Sequence, residues 1–273
     1  MSTALPFNPE KKRIIDDLLK EQEESTGGKG LLPKSKISVK GTTSYEPIYR
    51  IPTKFLYYNK SNGRIKAEII EKEAELGKQF DIWDDNDQLE FRSILLAIRR
   101  EENDKIKEDL KTNSQTTPGV ITCDGIVING NRRKALFEEL YEETSDEKYK
   151  YLDVQVLPSN ISKAELWLIE AGIQLSAPQQ LDYSPINNLL KLREGKNSGL
   201  DEKEMAARLY GISEDEIIED LERLNLIDEY LTDFIGKPGK YYLTKGLAEH
   251  FIDLQQILTW ANAPRGKKID WVD

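Results

Sequence analysis

Three consecutive cations, Arg132, Arg133 and Lys134, follow Gly130 and Asn131 near the middle of the chain. The run after the glycine is strongly helical, so the cations fall in the first turn of a helix, at the positive end of its dipole. A cation there costs about 0.3–1 kcal/mol at a protein surface, which predicts a negative partner. Glycine lets the backbone approach a ligand closely, and the exposed N–H groups of a first helical turn bind anions. Together with the forked donors of arginine, these residues predict a site for a polyphosphate.

The same cations allow a second interpretation, in which they pair with carboxylates of the protein itself. Lys134 and Glu138 are four residues apart and would face each other on a helix. The two arginines would meet carboxylates from elsewhere, because the chain is acidic, with a formal net charge of -10. Residue types alone leave both interpretations open.

The segment before the glycine predicts a β-hairpin. Two tetrads rich in β-branched residues, 120–123 and 126–129, flank the pair Asp124-Gly125. An Asp-Gly pair between such runs is a strong signal for a tight hairpin turn. The chain therefore passes from a hairpin through Gly130 into the helix.

The string SQTTPGVITCDGIVINGNRRKALFEEL, residues 114–140, resembles a segment of ParB/sulfiredoxin-like domains. In that family a Gly-Gln-x-x-Pro start leads through a strand to a Gly-Glu-Arg-Arg phosphate motif and its helix. The matching positions are Gln115, Pro118, Gly130, Arg132 and Arg133. Asn131 stands where the family most often has glutamate. The resemblance implies that this helix start binds nucleotide phosphates.

Two other boxes of the family match more loosely. Residues 59–64 resemble its first box, an Asn-Pro-x-x-x-Arg type of segment that supports the nucleotide, with Lys60 in place of the proline. The matching positions there are Asn59, Asn62, Gly63 and Arg64. Residues 171–175 take the place of the third phosphate motif, Glu-Asn-x-Gln-Arg, and keep only Gln174.

The resemblance implies a nucleoside triphosphate, CTP or ATP with Mg²⁺, in a pocket built from these segments. The implied phosphate contacts are Gly130, Asn131, Arg132, Arg133, Thr116 and Thr117, and the implied pocket residues are Asn62, Gly63, Arg64 and Gln174. Members of the family hydrolyse CTP or ATP, transfer a phosphoryl group, or act as nucleases. Hydrolysis needs an activated water, and Asn131 cannot act as a base, which leaves Glu138 and Glu170 as catalytic candidates. We expect weak hydrolysis or none, and no nuclease activity.

Residues 200–226 resemble the helix-turn-helix of ParB proteins. A helix ends near Leu209, Gly211 forms the turn, and Ser213 is placed to N-cap a second helix. Ser213 and Arg223 are the candidate DNA contacts. Six carboxylates crowd the second helix and would be repelled by a phosphate-lined groove. The alternative is a helical module that docks on a protein partner.

Composition excludes several classes of function. No apolar run approaches the roughly 20 residues of a membrane span, and residues 1–13 lack the apolar core of a signal peptide, so we expect a cytoplasmic protein without membrane contact. The single cysteine, Cys123, excludes an internal disulfide and a cysteine-rich metal site. The single histidine, His250, leaves no Ser/His or multi-His constellation beyond that one residue. The carboxylates at 81–87 lack the spacing of a calcium loop, so no metal site is predicted there.

The pattern predicts an α+β chain, with a small mixed-sheet ParB/sulfiredoxin-like domain followed by an all-helical domain that contains the helix-turn-helix. The predicted ranges are an N-terminal helix and flexible arm (1–47), a nucleotide-binding domain (48–158), a helical domain (159–262) and a tail (263–273). Helices are predicted at 64–79 and 87–111, and a strand at 151–158. A stripe of Leu247, Phe251, Leu254 and Leu258 predicts a last helix that docks on the helical domain or forms a homodimer seam.

Two functions remain open from the sequence. The first is a nucleotide-dependent switch in a DNA-associated process such as partition, transcription control or phage-related DNA transactions. The second is a non-catalytic adaptor with a vestigial pocket, whose acidic helical domain docks on a basic protein partner. The first predicts a nucleotide-dependent thermal shift that Arg132→Ala and Arg133→Ala abolish, and the second predicts no shift.

Overall fold

Helices and strands are mixed in the first half of the chain, and the second half is helical. The computed structural model describes residues 7–39, 41–174, 184–209 and 211–262. The first half contains α1 (Pro9–Thr26), β1 (Lys34–Val39), β2 (Thr42–Pro47), β3 (Tyr49–Pro52), β4 (Tyr57–Tyr58), α2 (Lys66–Leu76), α3 (Asp85–Ala97), α4 (Arg100–Asn113), β5 (Gly119–Ile121), β6 (Ile126–Asn129), α5 (Asn131–Thr144) and β7 (Tyr151–Val156). The second half contains α6 (Lys163–Gln174), α7 (Pro185–Asn197), α8 (Glu202–Ala206), α9 (Glu214–Glu229) and α10 (Ala248–Asn262). The prediction of a mixed α+β chain is confirmed.

Five of the strands form one mixed sheet in the order β3-β7-β5-β6-β4. β5 and β6 are the two strands of the predicted hairpin and pair antiparallel. β7 is the predicted return strand and lies between β3, with which it is antiparallel, and β5, with which it is parallel. β4 adds in parallel to β6 at the far edge. The hairpin therefore lies inside the sheet, with β4 beside the start of β6 and β5 beside its end at Asn129.

Both faces of the sheet are buried by helices. Ile121, Val127, Leu152 and Val154 face a cluster with Leu136 and Leu140 of α5, whereas Val120, Ile126 and Ile128 face a cluster with Ile69 of α2 and Phe91 of α3. Each of these side chains is at most 3% exposed. Complete burial of one such side chain stabilises the fold by about 1.5–3 kcal/mol. This packing holds α5 and the end of β6 at a defined angle.

The segment predicted as a flexible arm is instead a β-hairpin. β1 and β2 pair antiparallel in a separate two-stranded sheet. Its Ile37 is buried, and the Nε2 of Gln155 in β7 donates to the Ser35 carbonyl at 2.6 Å and to the Glu46 carbonyl at 3.2 Å. The arm was expected to be flexible because its glycines and lysines show no period, but contacts with residues far along the chain order it.

The prediction of a single helix at 87–111 is wrong, because the structure has two helices there, α3 and α4. Between α3 and α4, Arg99 has φ 51, in the left-handed region. The Nδ2 of Asn103 donates to the carbonyls of Leu95, Leu96 and Ile98 at 3.0–3.1 Å. The amide thus satisfies carbonyls that the break would otherwise leave unpaired. The apolar period continues through the break and so conceals it.

The second half packs α6 to α10 around two apolar clusters. Trp167 of α6, Leu192 of α7 and Met205 of α8 meet in one cluster, and Leu224 of α9 and Phe251 of α10 meet in the other. Ala67 of α2 joins the second cluster, so the helix after the first box also belongs to the packing of the helical half.

The predicted stripe of α10 docks on the helical half only in part. Phe251 is buried, whereas Leu254 and Leu258 remain 40% and 38% exposed. In the parts of the chain that the structure describes, no helix is both long and apolar enough to cross a bilayer.

Candidate functional site

The residues predicted to bind phosphate lie together at the start of α5. A cavity of about 230 Å³ is lined by Asn62, Arg64, Ile106, Asn129, Gly130, Asn131, Arg132 and Arg133. Two chain segments that are about 65 residues apart, the loop after β4 and the turn after β6, therefore form one site. Gly63 belongs to the same loop, and its N–H donates to the Glu170 carboxylate at 3.3 Å.

The turn into α5 depends on Gly130. Its φ of 110 lies in the region that favours glycine, and glycine has no side chain that could cap the helix. A Cβ at this position would come within 3.5 Å of the Gly119 Cα and 3.6 Å of an Arg133 guanidinium nitrogen. The first turn of α5 contains no acidic residue. The helix start therefore presents N–H groups and cations without a carboxylate cap.

Arg133 is the cation of this run that has no carboxylate partner among the described residues. Its guanidinium donates to the Thr117 carbonyl and, at 3.0 Å, to the Asn129 Oδ1. Both acceptors are neutral, and among the described residues no carboxylate lies within ion-pair distance of it. Burial, together with the nearby positive charge of Arg64, lowers the pKa of Arg133 to about 10. A partly buried cation in this state would be stabilised by an anion in the cavity.

The other two cations of the run have partners within the protein. An Arg132 guanidinium nitrogen lies 3.6 Å from a carboxylate oxygen of Glu102 on α4. The Nζ of Lys134 lies 2.6 Å from the Glu138 carboxylate and 3.7 Å from the ring centroid of Tyr58. The predicted pairing of Lys134 with Glu138 is confirmed. The interpretation by local ion pairs thus holds for two of the three cations and does not extend to Arg133.

Asn131 has a structural task that the sequence did not reveal. Its side chain is buried, accepts from the Asn59 N–H at 3.1 Å and donates to the Val127 carbonyl at 2.7 Å. It ties the loop of the first box to β6. At the cavity, the group that Asn131 contributes is therefore its backbone N–H, while its side chain holds the loop.

The loop of the first box also contacts the helical half of the chain. Besides the bond from Gly63 to Glu170, the Nδ2 of Asn187 in α7 donates to the Arg64 carbonyl at 3.1 Å. The Oδ1 of Asn187 accepts from the Ala67 N–H at 2.8 Å at the start of α2. The sequence pattern gave no indication of Asn187, because a polar residue on an amphipathic helix is ordinarily exposed.

Neither carboxylate proposed as a catalyst lines the phosphate cavity. Glu138 accepts from Lys134 and from the Tyr58 hydroxyl on the other side of α5. Glu170 is 3% exposed and lies 2.7 Å from the Nζ of Lys191. Burial raises the pKa of Glu170, although the charge of Lys191 opposes this. The structure therefore brings no base of the predicted set to a phosphate in the cavity.

The remaining predicted contacts lie at the edge of the site or outside it. Thr117 lines a neighbouring cavity of about 460 Å³ that shares Asn129 with the first, and its carbonyl accepts from Arg133. Thr116 is exposed and lines neither cavity. The backbone of Gln174 ends α6, but its side chain lies outside the part of the chain that the structure describes. Asn129, which the sequence reading did not select, is shared by both cavities.

The donor set at the cavity does not fit a metal held by the protein. Its lining contains amides and guanidinium groups but no carboxylate, and across the described ranges no group of three histidine, cysteine, aspartate or glutamate residues could hold an ion. A Mg²⁺ ion that accompanied a nucleotide would take its ligands from phosphate oxygens and water.

The two residues proposed as DNA contacts serve other purposes. Ser213 N-caps α9, as predicted, in a capping box in which its side chain and that of Glu216 each accept from the other's backbone N–H. Arg223 is partly buried and pairs with Asp220 at 2.6 Å. The exposed residues of the first two turns of α9 are Glu214, Asp215, Glu216, Ile218 and Glu219. This surface is acidic.

No protein-family model matches this chain, and no curated protein shows significant similarity to it. The assignment of the site therefore depends on its geometry and charge.

Proposed function

We propose that this protein binds the polyphosphate of a nucleoside triphosphate, CTP or ATP, at the start of α5 and acts as a nucleotide-dependent switch. The observation that supports this most is Arg133, a partly buried cation beside Arg64 whose described partners are neutral oxygens. Polyphosphate would supply the missing negative charge and would accept from the first N–H groups of α5. The resemblance to ParB/sulfiredoxin-like domains supports the same assignment.

The two neighbouring cavities suggest how a whole nucleotide would be accommodated. Sites for small ligands usually measure about 300–1,000 Å³, so the 230 Å³ cavity suits the phosphates alone. The 460 Å³ cavity adjoins it at Asn129, and Ile37, Val120 and Gln155 are among the residues that line it. The nucleoside would extend into this second cavity.

The loop of the first box would transmit the nucleotide state to the helical half. Arg64 and Asn62 line the phosphate cavity, while the backbone of the same loop contacts Glu170 and Asn187 of the helical half. A ligand that draws the Arg64 side chain toward α5 would therefore act on α6 and α7 through existing hydrogen bonds. This path is short, and it runs beside the packing of α6 against the sheet core through Leu166 and Ile169.

Binding without turnover is the expected behaviour. Neither Glu138 nor Glu170 reaches the cavity, and the Asn131 side chain is occupied by the backbone. Since no carboxylate lines the cavity, nucleotide binding should also persist when Mg²⁺ is removed with EDTA.

The test is thermal melting of the full chain with each ribonucleoside triphosphate and with inorganic tripolyphosphate. A ligand at about 100 times its Kd stabilises the folded state by about 2.7 kcal/mol. We expect a shift with at least one nucleotide, and its loss in Arg133→Ala. Arg13→Ala, which removes an exposed arginine of α1, is the matched control and should keep the shift.

The pattern of shifts distinguishes the parts of the proposal. Equal shifts with tripolyphosphate and all nucleotides would show a phosphate site without base selection. A larger shift with one nucleotide would identify its base. No shift with any of these ligands would contradict the proposal.

The second candidate function is a non-catalytic adaptor, and the acidic surface of α9 favours it. Exposed carboxylates dominate the first two turns of that helix, and such a surface attracts a basic protein and repels DNA. This candidate predicts no nucleotide shift and an association that weakens steeply with salt.

A further inference from the structure

The cavity of about 460 Å³ beside the phosphate cavity contains a buried side chain with an unused acceptor. Gln155 of β7 lines this cavity and is 3% exposed. Its Nε2 donates to the Ser35 and Glu46 carbonyls of the β1–β2 hairpin, at 2.6 Å and 3.2 Å. These two bonds fix the orientation of the amide, because only its NH₂ end donates. No group of the described residues donates to the Oε1.

The comparison with other glutamines shows that this oxygen is unusual. Three glutamines that bridge the first half of the chain use both ends of the amide, and in each the Oε1 accepts from a main-chain N–H at 2.7–2.9 Å: Gln22, Gln88 and Gln115. The Oε1 of Gln155 has no such donor, and it is not among the polar atoms that the described residues seal from solvent. Polar groups in buried side chains are ordinarily hydrogen-bonded. A ligand in the cavity can therefore reach this oxygen and supply the missing donor.

The register of the sheet places a free donor on the other side of the same cavity. Val120 of β5 pairs with Asn129 of β6 and with Gln155 of β7, and all three residues line the cavity. Residues paired across strands face the same side of a sheet, and two strand spacings separate the outer Cα atoms by about 10 Å. The Asn129 Oδ1 accepts from Arg133 at 3.0 Å, and its Nδ2 has no acceptor among the described residues.

A nucleobase suits the space between the two amides. A base is flat and uncharged, and the cavity lining around the amides includes apolar side chains, on Ile37, Pro118, Val120, Leu168 and Ile169. With the phosphates at Arg133, the ribose would lie near Asn129 and the far edge of the base would extend over Val120 toward Gln155. At that edge cytosine and adenine carry an NH₂ donor, whereas guanine and uracil, which has the O4 of thymine, carry a carbonyl oxygen.

We propose that Gln155 selects the base of the bound nucleotide and that the site takes bases with an exocyclic amine at this edge. The amine would donate to the Gln155 Oε1, and Asn129 would donate to the ribose or to the part of the base beside it. A base with a carbonyl oxygen at the same position would place two acceptors against each other. This inference rests on the proposed function, because the phosphate site sets the direction in which the nucleoside extends.

The β1–β2 hairpin takes part in this selection. A glutamine amide that is free to rotate by half a turn accepts from an amine in one orientation and donates to a carbonyl in the other. The Ser35 and Glu46 carbonyls hold the NH₂ end of Gln155, so the rotated orientation would lose both bonds. The hairpin thus keeps the oxygen turned to the ligand.

Two matched pairs of nucleotides test the selection in the parent protein. CTP and UTP differ at position 4 of the pyrimidine, and ATP and ITP differ at position 6 of the purine, while ribose and triphosphate stay the same. Calorimetric titration of the full chain should give the amine member of each pair that binds a Kd lower by about tenfold or more, because its partner leaves a buried acceptor unpaired. Inorganic tripolyphosphate reports on the phosphate site alone.

A variant assigns the selection to Gln155. Gln155→Met keeps the length of the side chain and removes the amide, so the preference within each pair should fall to about onefold while tripolyphosphate binds as before. Gln22→Met is the matched control, because it removes an amide that bonds the Arg50 backbone outside the cavity, and it should keep the preference. Thermal melting first shows that each variant is folded. The four nucleotides need no variant, so they test the proposal even if Gln155→Met does not fold.

The outcomes separate this inference from the proposed function. If UTP and ITP bind as tightly as CTP and ATP, or if folded Gln155→Met keeps the preference, the selection by Gln155 is refuted and the phosphate site stands. If neither tripolyphosphate nor any nucleotide binds, the proposed function fails and this inference fails with it.

Discussion

Arg133 and Lys134 are neighbours on α5, yet the protein treats their charges differently. Lys134 is buried, lies 2.6 Å from Glu138 and 3.7 Å above the Tyr58 ring, and is balanced within the chain. Arg133 has neutral acceptors and a cationic neighbour, Arg64. A cation that the fold balances contributes to stability, whereas one that it leaves unbalanced is available to a ligand.

The cavities on the two sides of α5 differ in the same way. Lys134 and Glu138 line a cavity of about 690 Å³, larger than the phosphate cavity. In it, both terminal nitrogens of Arg92 lie 2.6 Å from the Glu142 carboxylate, so its cations and carboxylates balance one another. By volume alone this cavity would be the candidate binding site, but the charge of Arg133 favours the smaller one.

The largest expected effect is the loss of stability in Lys134→Met. Removing one partner of a buried ion pair typically costs about 3–5 kcal/mol, and we expect about 3 kcal/mol because Glu138 keeps the Tyr58 hydroxyl and some exposure. Urea unfolding measures this loss. The tripolyphosphate shift should survive in the folded variant, and its disappearance would contradict the separation of the two sides of α5. Lys20→Met, at an exposed lysine of α1, is the control.

The next effect is specific to the ligand. Arg133→Ala should leave the unliganded melting temperature unchanged or raise it, because a partly buried cation without a carboxylate partner is removed, and should forfeit the ligand stabilisation of about 2.7 kcal/mol. Arg132→Ala should lose a smaller part of the ligand stabilisation, because Glu102 already balances the charge of Arg132 in part. Equal losses in the two variants would mean that their environments do not differ as described.

Gly130→Ala tests whether the turn itself forms the site. An alanine at φ 110 is strained by about 1–3 kcal/mol, and we expect a loss of about 2 kcal/mol in urea unfolding with weaker nucleotide binding. Gly30→Ala is the matched substitution. Gly30 is exposed, its φ lies outside the left-handed region and a Cβ there meets no described atom within 4 Å, so we expect a change of less than about 0.5 kcal/mol. A harmless Gly130→Ala would refute the close approach of backbone to ligand.

The smallest effect extends the comparison to a carboxylate, Glu71, for which burial outweighs the charge of Lys240. Because burial raises the pKa of Glu71 to about 7, the folded state binds the proton more tightly than the unfolded one. The contribution of Glu71 to the free energy of unfolding is fully present below a pH of about 4.5 and is lost as the pH rises through about 7. The groups that act on Glu71 are Glu68 and Glu75 of α2, together with Lys240 and Tyr242 from the segment before α10.

Glu71→Gln should therefore remove part of the decline in stability between pH 5 and pH 8, a range set by the pKa of about 7. We expect a gain of about 1 kcal/mol at the upper pH, less than the shift in pKa implies, because the carboxylate is only half buried. Urea unfolding of the parent and the variant across this range measures it. A parallel decline in both proteins would contradict the assignment.

Local sequence determined the elements whose signals lie within a few residues. The start of α5 at Gly130 and the N-cap of α9 at Ser213 are confirmed. The hairpin around Asp124-Gly125 also forms, but β5 ends at Ile121 and the turn begins at Thr122, whose carbonyl accepts from the Gly125 N–H at 3.0 Å. In each case a turn residue or a cap fixes the backbone through contacts with its immediate neighbours. The spacing of Lys134 and Glu138 also predicted their pairing.

Tertiary structure decided the features that depend on distant residues. The hairpin β1–β2 is held by Gln155 of β7, and the carbonyls at the break between α3 and α4 accept from Asn103. Neither contact can be read from the residue pattern of the segment concerned. The sequence could list three cations in a row, but successive residues on a helix point about 100° apart. Only the packing of α5 between the sheet and its neighbours decided that Lys134 is buried and that Arg133 meets a cavity.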